Sequence, residues 1–303
     1  MTSTIKSTNN SSENTYIIAI PSYNRADILK TKTFATLKRH NIPDDIIYIF
    51  VANNDEREKY IMKIDIDPSN IITGVKGLKN QRNFISSYFP EGKHIVQLDD
   101  DIDEIVELII PIKKSYSQLK LQYDKFTKTR KINNEKYKHI YKRELMKKHR
   151  IIPIKDLNKF IINAFEIAVS KGIYLWGIYP VDNPYFMTDT ITTDLRFIVG
   201  PFWGVINRHT EQLKLTIDEK ENVERTLQHY SMDGGVLRFN NVSITTNYYK
   251  TPGGMQTESS INNRRNAAKI SAEILHSKYP QYTKIVIKKR TNWPEIKLIK
   301  SKK

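Results

Sequence analysis

Short apolar runs that stop at polar or charged residues recur along the first third of the chain. Each has the length and β-prone composition of a buried strand, and segments with helical spacing of apolar residues lie between them. The runs are Tyr16–Ile20, Ile46–Val51, Asn70–Thr73 and Ile95–Leu98. The helical segments span about Ala26–Arg39, the charged stretch that ends near Met62, and Leu78–Ser87. Strands and helices that alternate through short connections predict a parallel sheet.

The later pattern continues the alternation less regularly. Helices are predicted over Asp156–Ser170, Asp218–Tyr230 and Glu258–Ser277, and strands over Tyr174–Pro180, Phe197–Val199, Trp203–Ile206 and Ile285–Ile287. The β-rich stretch Val236–Tyr249 predicts a strand pair. The expected fold class is therefore α/β, with a mostly parallel central sheet flanked by helices.

The fourth apolar run ends in three adjacent carboxylates, Asp99, Asp100 and Asp101. Neighbouring acids repel one another unless water or a cation offsets their charge. Carboxylate oxygens suit Mg²⁺ or Mn²⁺, and the open end of an α/β strand is where ligands usually bind. The alternative is a solvated acidic turn without a ligand.

Polar residues also follow the other predicted strands. Tyr23 and Arg25 come after the first strand, where a ring could stack on a base and a guanidinium could meet a phosphate. Asn53 follows the second strand and could accept a hydrogen bond from a ribose or base, although such residues are also ordinary helix caps. Lys79 and Arg82 lie near a helix start, where anions bind well. Each of these could equally be a residue without a ligand.

Composition sets the class of protein. The 303 residues are 39% hydrophobic, enough for a substantial core, and the absence of cysteine excludes disulfides and thiolate metal sites. Residues 1–15 are polar and predict a loose tail rather than a signal peptide, and no apolar run has the length of a membrane span. A soluble, intracellular location is expected.

The net charge of +16 is concentrated in two blocks. Lys113–Arg150 holds 14 Lys and Arg against three acids, interleaved with Tyr and Phe, and Lys284–Lys303 holds eight against one. Cations mixed with aromatic rings suit nucleic acid, which offers phosphates and stacking bases. A solubilising surface is the alternative.

Four motifs in order carry a family resemblance: IIAIPSYNRADIL, IYIFVANNDE, GVKGLKNQRN and HIVQLDDDI. Together they resemble the nucleotide-sugar half of GT-A glycosyltransferases. More narrowly, they are similar to the TET-associated glycosyltransferases of phages and large DNA viruses, which are thought to decorate 5-hydroxymethylpyrimidines in DNA. The similarity is close over roughly the first third of the chain and looser afterwards. If the source is viral, as the resemblance implies, the expected location is a host cytoplasm or a virion.

The resemblance implies roles for residues of the donor side. Asp99–Asp101 would be the DxD-type motif, with Asp101 as the direct ligand of Mn²⁺ or Mg²⁺ and Asp99 facing the ribose. The other residues that would line the donor pocket are Pro21, Tyr23, Arg25, Asn53, Lys79, Arg82 and Asp100. Lys250 precedes a Pro-Gly-Gly loop that could close over phosphates or be a plain turn.

The resemblance also points to an acceptor side in the later chain. Trp176, Trp203 and Asp182 are candidate acceptor contacts, although tryptophans here could equally be core. A transferase needs a carboxylate to take the acceptor's proton, and Glu221 is the first candidate, Asp218 the second. Asp233 is a weaker third. Acids at a helix start also serve as caps, and Glu-Asn stands here where a Glu-Asp pair is common.

The expected organisation is a mostly single-domain chain. Residues 1–15 form a tail, 16–112 the nucleotide-sugar half, 113–150 a basic insertion, 151–283 the acceptor half, and 284–303 a basic strand and tail. The expected activity is transfer of a sugar from a nucleotide-diphosphate donor, with UDP favoured, to a hydroxyl on a hydroxymethylated pyrimidine in DNA. The alternatives are a glycan or protein acceptor, a nucleotidyltransferase, and an inactive scaffold that binds nucleic acid.

Overall fold

The computed structural model describes residues 16–110, 121, 149–246, 261–288 and 293–299. The strands are β1 (Ile17–Pro21), β2 (Ile47–Val51), β3 (Ile71–Thr73), β4 (His94–Leu98), β5 (Ile102–Ile109), β6 (Arg150–Pro153), β7 (Leu175–Ile178), β8 (Ile191–Thr192), β9 (Phe202–Ile206), β10 (Leu237–Phe239), β11 (Val242–Thr246), β12 (Thr283–Lys288) and β13 (Trp293–Leu298). The α-helices are α1 (Ala26–Leu29), α2 (Ala35–Arg39), α3 (Asn54–Lys63), α4 (Leu78–Tyr88), α5 (Leu157–Ser170), α6 (Glu221–Asp233) and α7 (Ile261–Lys278). A π-helical stretch, Lys30–Phe34, joins α1 to α2.

Eight strands form the central sheet in the order β3-β2-β1-β4-β9-β7-β10-β8. The pairs β1–β2, β2–β3, β1–β4 and β7–β10 are parallel, whereas β9 runs antiparallel between β4 and β7, and β8 runs antiparallel at the edge beside β10. Six of the eight strands therefore point the same way. The α/β class and the mostly parallel central sheet expected from the sequence are confirmed.

The alternation of side chains along β1 explains why the sheet has a core on each face. Ile18 and Ile20 belong to one apolar cluster, which the helices α1 to α3 and α5 cover. Ile17 and Ala19 point the other way, into a second cluster that includes Ile85 of α4. Because successive strand residues alternate between faces, a strand that is apolar throughout needs a cover on both sides.

A small second sheet, β11-β5-β6, begins directly after the acidic residues. Its central strand β5 is not among the predicted elements, and it contains Asp103, Glu104 and Glu107. In the structure, the buried residues Ile102, Ile105, Val106 and Leu108 are interspersed with these acids along the strand. The acids therefore do not interrupt the strand.

Three predicted elements differ from the observed ones. Phe197–Val199 is not a strand but an extended connection that leads into β9. The strand pair expected in Val236–Tyr249 does not form a hairpin, since β10 joins the central sheet and β11 pairs with β5. The helix expected from Asp218 begins at Glu221, because Lys220 adopts a left-handed conformation with φ of 66°.

The C-terminal helix α7 and the β12–β13 hairpin pack against α6. Leu275 and Tyr279 of this unit meet Val223 and Leu227 of α6 in a third apolar cluster. The strand expected at Ile285–Ile287 is thus confirmed within the longer β12. Within the described ranges, no helix combines the length and apolar character needed to cross a membrane.

Candidate functional site

The carboxyl ends of β1, β2 and β4 meet at one edge of the central sheet, because the three strands are parallel neighbours. Ser22 N donates to Phe50 O at 2.9 Å, which ties the end of β1 to β2. Asp99 N donates to Pro201 O at 2.9 Å, which ties the acidic turn to the segment before β9. Open sheets of this kind bind ligands beyond the carboxyl ends of their strands. This edge is therefore the candidate site.

The middle carboxylate of the triad is an internal anchor. Asp100 is 5% exposed, and its Oδ2 accepts a hydrogen bond of 2.6 Å from Ser22 Oγ. The Tyr60 hydroxyl lies 2.7 Å from Ser22 Oγ, and Arg25 Nη1 forms a 3.0 Å ion pair with Asp100 Oδ1. Both carboxylate oxygens are thus occupied within the protein. The structure contradicts the expectation that Asp100 contacts the donor, because this carboxylate is buried and both of its oxygens are bound by Ser22 and Arg25.

Burial sets the protonation behaviour of this network. It raises the pKa of Asp100 to about 6, although the ion pair with Arg25 and the hydrogen bonds from Ser22 and Arg25 act in the opposite direction. Burial likewise raises the pKa of Tyr60 well above its ordinary value. Burial therefore opposes ionisation of both groups, while the ion pair with Arg25 favours the ionised carboxylate of Asp100.

The first carboxylate of the triad faces a buried arginine. Arg82 Nη2 donates to Asp99 Oδ1 at 3.0 Å, and Arg82 Nη1 donates to Gln97 Oε1 at 2.8 Å. The Asp99 side chain remains 32% exposed, so it borders the open edge. Desolvation raises the pKa of Asp99, while Arg82 lowers it and Asp101 and Glu221 raise it further. Arg82 therefore reaches the edge through Asp99 rather than directly.

The third carboxylate is also partly open. Asp101 Oδ2 lies 3.5 Å from Arg25 Nη1, and its side chain is 17% exposed. Thr246 Oγ1 of β11 donates to the main-chain oxygen of Asp101 at 2.9 Å. Arg25, a predicted donor-binding residue, thus bridges two members of the triad, Asp100 and Asp101.

The donor set at this edge suits a hard cation that brings its own ligands. Asp99 and Asp101 offer carboxylate oxygens at an open edge, and Mg²⁺ is commonly held by one or two carboxylates together with substrate phosphates. In the described part of the chain, no group of three or more His, Asp or Glu side chains gathers as a ready-made metal site. The residues therefore fit a cation shared with a phosphate ligand better than a closed structural metal site.

A chain of charges continues from Arg82 beneath the edge. Arg82 Nε lies 3.6 Å from Glu221 Oε1, and Arg225 Nη1 donates to Glu221 Oε2 at 2.9 Å. The guanidinium of Arg225 stacks on the Trp203 ring at 3.7 Å, and that of Arg82 lies 5.5 Å from the same ring. Glu221 is thus buried between two guanidinium groups, and each of its carboxylate oxygens faces one of them.

Two further predicted residues neutralise each other. Lys79 Nζ forms a 3.3 Å ion pair with Asp218 Oδ2 and donates to Thr216 O at 3.4 Å. The Asp218 side chain is 56% exposed. Lys79, expected to bind the donor, and Asp218, the second candidate base, are therefore brought together, which the sequence did not indicate.

The remaining donor-side predictions fall at the same edge with different surroundings. Pro21 is the buried last residue of β1, and Tyr23 is half-buried with Lys76 Nζ 5.5 Å from its ring centre. Asn53 caps α3, because its Oδ1 accepts a hydrogen bond from Glu56 N at 2.9 Å. Asn53 therefore has a structural task at the end of β2, and its Oδ1 is engaged in the cap.

Of the three predicted acceptor contacts, two are core residues. Trp176 is fully buried and meets Phe160, Phe165, Phe202 and Phe239 edge to face. Trp203 is almost fully buried beneath the two arginines. An acceptor contact is wrong for both, since neither ring is accessible. Asp182 is half-buried in the loop after β7, on the same sheet edge as the triad.

Asp233, the third candidate base, lies at the far end of α6. Both of its oxygens accept hydrogen bonds of 2.8 Å from Arg208, and His229 Nδ1 lies 3.4 Å from Asp233 Oδ2. Asp233 follows Glu221 by 12 positions along α6, so the helix rise separates them by about 18 Å. The structure therefore excludes Asp233 from the site edge.

Sequence reasoning missed four residues that build the edge: Ser22, Glu56, Tyr60 and Arg225. Glu56 is buried and its Oε2 accepts a hydrogen bond from Asn24 N at 2.8 Å, which holds the loop after β1. Only Arg225 left a signal in the sequence, because it follows Glu221 by four residues, the spacing of a helical ion pair. Lys250 and nearly all of the basic insertion lie outside the described residues, as do the N-terminal tail and the last residues of the basic C-terminal block.

The fold and the edge site define an α/β chain with an acidic turn at the carboxyl edge of its parallel strands. No family model and no curated protein matches the chain. Among solved structures, 21 chains match it. One is S. aureus TarS 1–349 in complex with UDP-GlcNAc, with a TM-score of 0.48 and 11% sequence identity. That match covers 86% of this chain and 66% of the TarS chain, slightly less than two thirds of its length.

Proposed function

We propose that this protein is a glycosyltransferase that moves a sugar from a nucleoside-diphosphate donor, with UDP as the nucleotide, to a hydroxyl group. The observation that carries the proposal is the position of Asp99 and Asp101. Both carboxylates are partly exposed at the carboxyl edge of the parallel strands, beside the guanidinium of Arg25 and the buried Arg82. The four sequence motifs that resemble GT-A donor-binding segments each span or directly follow the carboxyl end of β1, β2, β3 or β4.

The chemistry of a diphosphate leaving group explains why such an edge is useful. Negative charge develops on the diphosphate as its bond to the sugar breaks, and fixed positive charge nearby stabilises the transition state. Asp101, with Asp99, would hold Mn²⁺ or Mg²⁺, which when bound supplies a Lewis acid for the diphosphate oxygens. Arg25 supplies a second positive group, since its guanidinium already lies between Asp100 and Asp101.

The proton of the acceptor hydroxyl needs a carboxylate with access to it. Glu221, the first candidate from sequence, is buried and held by Arg82 and Arg225, so we assign it a supporting role instead. Asp218 is exposed and carries one cationic partner, Lys79, which an incoming acceptor could displace. We therefore propose Asp218 as the base if the reaction inverts the anomeric centre.

The favoured acceptor is a hydroxymethylated pyrimidine in DNA. This part of the proposal depends on the sequence resemblance and on the two basic blocks, which suit a polyanionic partner. The hydroxymethyl group at C5 of a pyrimidine points into the major groove, so it is accessible on duplex DNA.

The decisive experiment is a donor panel with the wild-type protein, Asp101→Asn and Asp218→Asn. UDP-sugars are incubated with Mn²⁺ or Mg²⁺, and release of nucleoside diphosphate is measured with and without hydroxymethylated DNA. We expect metal-dependent release, lost in Asp101→Asn, and a fall in kcat of about 10²-fold or more in Asp218→Asn with little change in donor KM. Release of pyrophosphate instead would identify a nucleotidyltransferase.

The acceptor is tested separately. Hydroxymethylated DNA, the same DNA without the hydroxymethyl group, and a glycan and protein panel are compared as sugar acceptors. Binding to DNA should weaken steeply as salt rises, because Lys and Arg release counterions from phosphates. Transfer to glycan or protein alone would refute the DNA acceptor, and salt-sensitive DNA binding without any turnover would indicate an inactive scaffold.

A further inference from the structure

Four charged side chains that alternate in sign run from the open edge into the protein. Asp99 pairs with Arg82 at 3.0 Å, Arg82 lies 3.6 Å from Glu221, and Glu221 pairs with Arg225 at 2.9 Å. Only Asp99 has substantial exposure, and the other three are almost completely buried. The donor can therefore meet this chain of charges only at its Asp99 end.

The innermost member, Arg225, is unusual for a buried arginine. Its one hydrogen bond goes to Glu221, while Nε and Nη2 are buried and have no hydrogen-bond partner in the described structure. Burial lowers the pKa of Arg225 to about 10, although Glu221 acts against the shift. A buried guanidinium with unsatisfied donors costs stability. Its position is therefore poorly explained by a contribution to stability.

Trp203 fixes the geometry of Arg225. The guanidinium lies 3.7 Å from the ring centre, a stacking contact, and Trp203 is itself held in the core of the second apolar cluster. The planar guanidinium can pair with Glu221 and stack on the ring at the same time, which a lysine cannot do. The orientation of Glu221 toward Arg82 thus depends on a stacked arginine above a rigid ring.

We propose that Arg225 is a positioning residue for the nucleotide-sugar donor. Held on Trp203, Arg225 orients Glu221, Glu221 orients Arg82, and Arg82 fixes the Asp99 carboxylate at the donor edge. The inference rests on the proposed function, since it assigns the edge to the donor. It assigns Glu221 as the bridge between two guanidinium groups.

The same helix offers a matched control at its other end. Arg208 stacks on the Tyr174 ring at 3.8 Å and pairs with Asp233 of α6 at 2.8 Å. Arg208→Lys therefore removes the same kind of stacked, carboxylate-bound guanidinium far from the donor edge. Arg225→Lys and Arg208→Lys are compared with the wild-type protein by urea unfolding, by UDP titration with Mn²⁺ present, and by donor kinetics.

We expect Arg225→Lys to weaken UDP binding and raise donor KM about tenfold or more, with a smaller effect on kcat, because a slightly misplaced binding group is costly. Arg208→Lys should lose stability while its UDP affinity stays within about twofold of wild type. In an Arg82→Lys background, Arg225→Lys should add little further loss, since the effect passes through Arg82. Equal UDP affinities in Arg225→Lys and the wild-type protein overturn the inference.

Two safeguards keep the test decisive. If Arg225→Lys does not fold, Trp203→Phe keeps a ring beneath Arg225 with a smaller face, and it should weaken UDP binding in the same direction by a smaller factor. Unchanged UDP affinity in that variant overturns the inference. If the wild-type protein neither binds UDP nor turns over a donor, the proposed function is overturned. If the wild-type protein binds UDP and Arg225→Lys binds it equally well, only the inference about Arg225 is overturned.

Discussion

The buried carboxylate of Asp100 should make the stability of this protein depend on pH in a way that one substitution removes. Burial raises the pKa of Asp100 from 3.8 to about 6. A carboxyl group whose folded pKa is raised contributes stability that is fully present below the unfolded pKa of about 4 and is lost as the pH rises through about 6. At about 1.4 kcal/mol per pKa unit, the whole shift is worth about 3 kcal/mol, most of which is lost between pH 4 and neutral pH.

Asp100→Asn separates this ionisation from the other titrations of the chain. Asparagine retains the size of the neutral carboxyl group but has one oxygen in place of two, so one of the contacts from Ser22 and Arg25 weakens. That loss shifts the stability of the variant by a similar amount at every pH. The pH-dependent part of the difference between variant and wild type therefore reports the Asp100 carboxyl group.

The assay is urea unfolding of both proteins at several pH values from about 4 to about 7.5. The free energy of unfolding of Asp100→Asn, minus that of wild type, should rise by up to about 3 kcal/mol across this range. Asp67→Asn is the control of opposite sign, because hydrogen bonds from Ser69 lower the pKa of the exposed Asp67. Its difference from wild type should fall, slightly, as the pH rises. A constant difference for Asp100→Asn would refute the reasoning about its burial.

Substitutions at Trp176, at its neighbour Gly204 and at Asn53 test the structural roles that the fold gives these residues. Trp176→Ala should lower the free energy of unfolding by about 3–5 kcal/mol and leave donor KM unchanged, and a rise in KM at unaltered stability would contradict its core position. Gly204→Ala should lower the free energy of unfolding by at least about 1–3 kcal/mol, since the added Cβ would lie 2.2 Å from the Trp176 ring. A denaturation midpoint like that of wild type would contradict this contact. Asn53→Ala should lower the free energy of unfolding by about 1 kcal/mol because the α3 cap is lost, and Asn53→Ser should lower it much less. Equal losses in the two variants would show that the cap is not the cause.

The periodicity of the sequence determined the strands that carry the site. β1, β2 and β4 consist of β-prone apolar residues that end at polar ones, so their approximate bounds and their common edge were readable. The acidic turn Asp99–Asp101 was likewise identified as the end of β4. These are local properties, because strand length and side-chain alternation depend on neighbouring residues.

Which carboxylates face the open edge was decided only by tertiary contacts. Asp99, Asp100 and Asp101 are identical in chemistry, and the sequence cannot tell that Ser22 and Arg25 take up the oxygens of the middle one. The sequence pointed to Glu221 for catalysis and to Trp203 for acceptor binding. In the structure both are buried: Glu221 pairs with Arg82 and Arg225, and Arg225 stacks on Trp203. Burial and ion pairing depend on contacts between residues that can be more than 100 positions apart, as Arg82 and Glu221 are. No pattern within one segment of the sequence therefore encodes them.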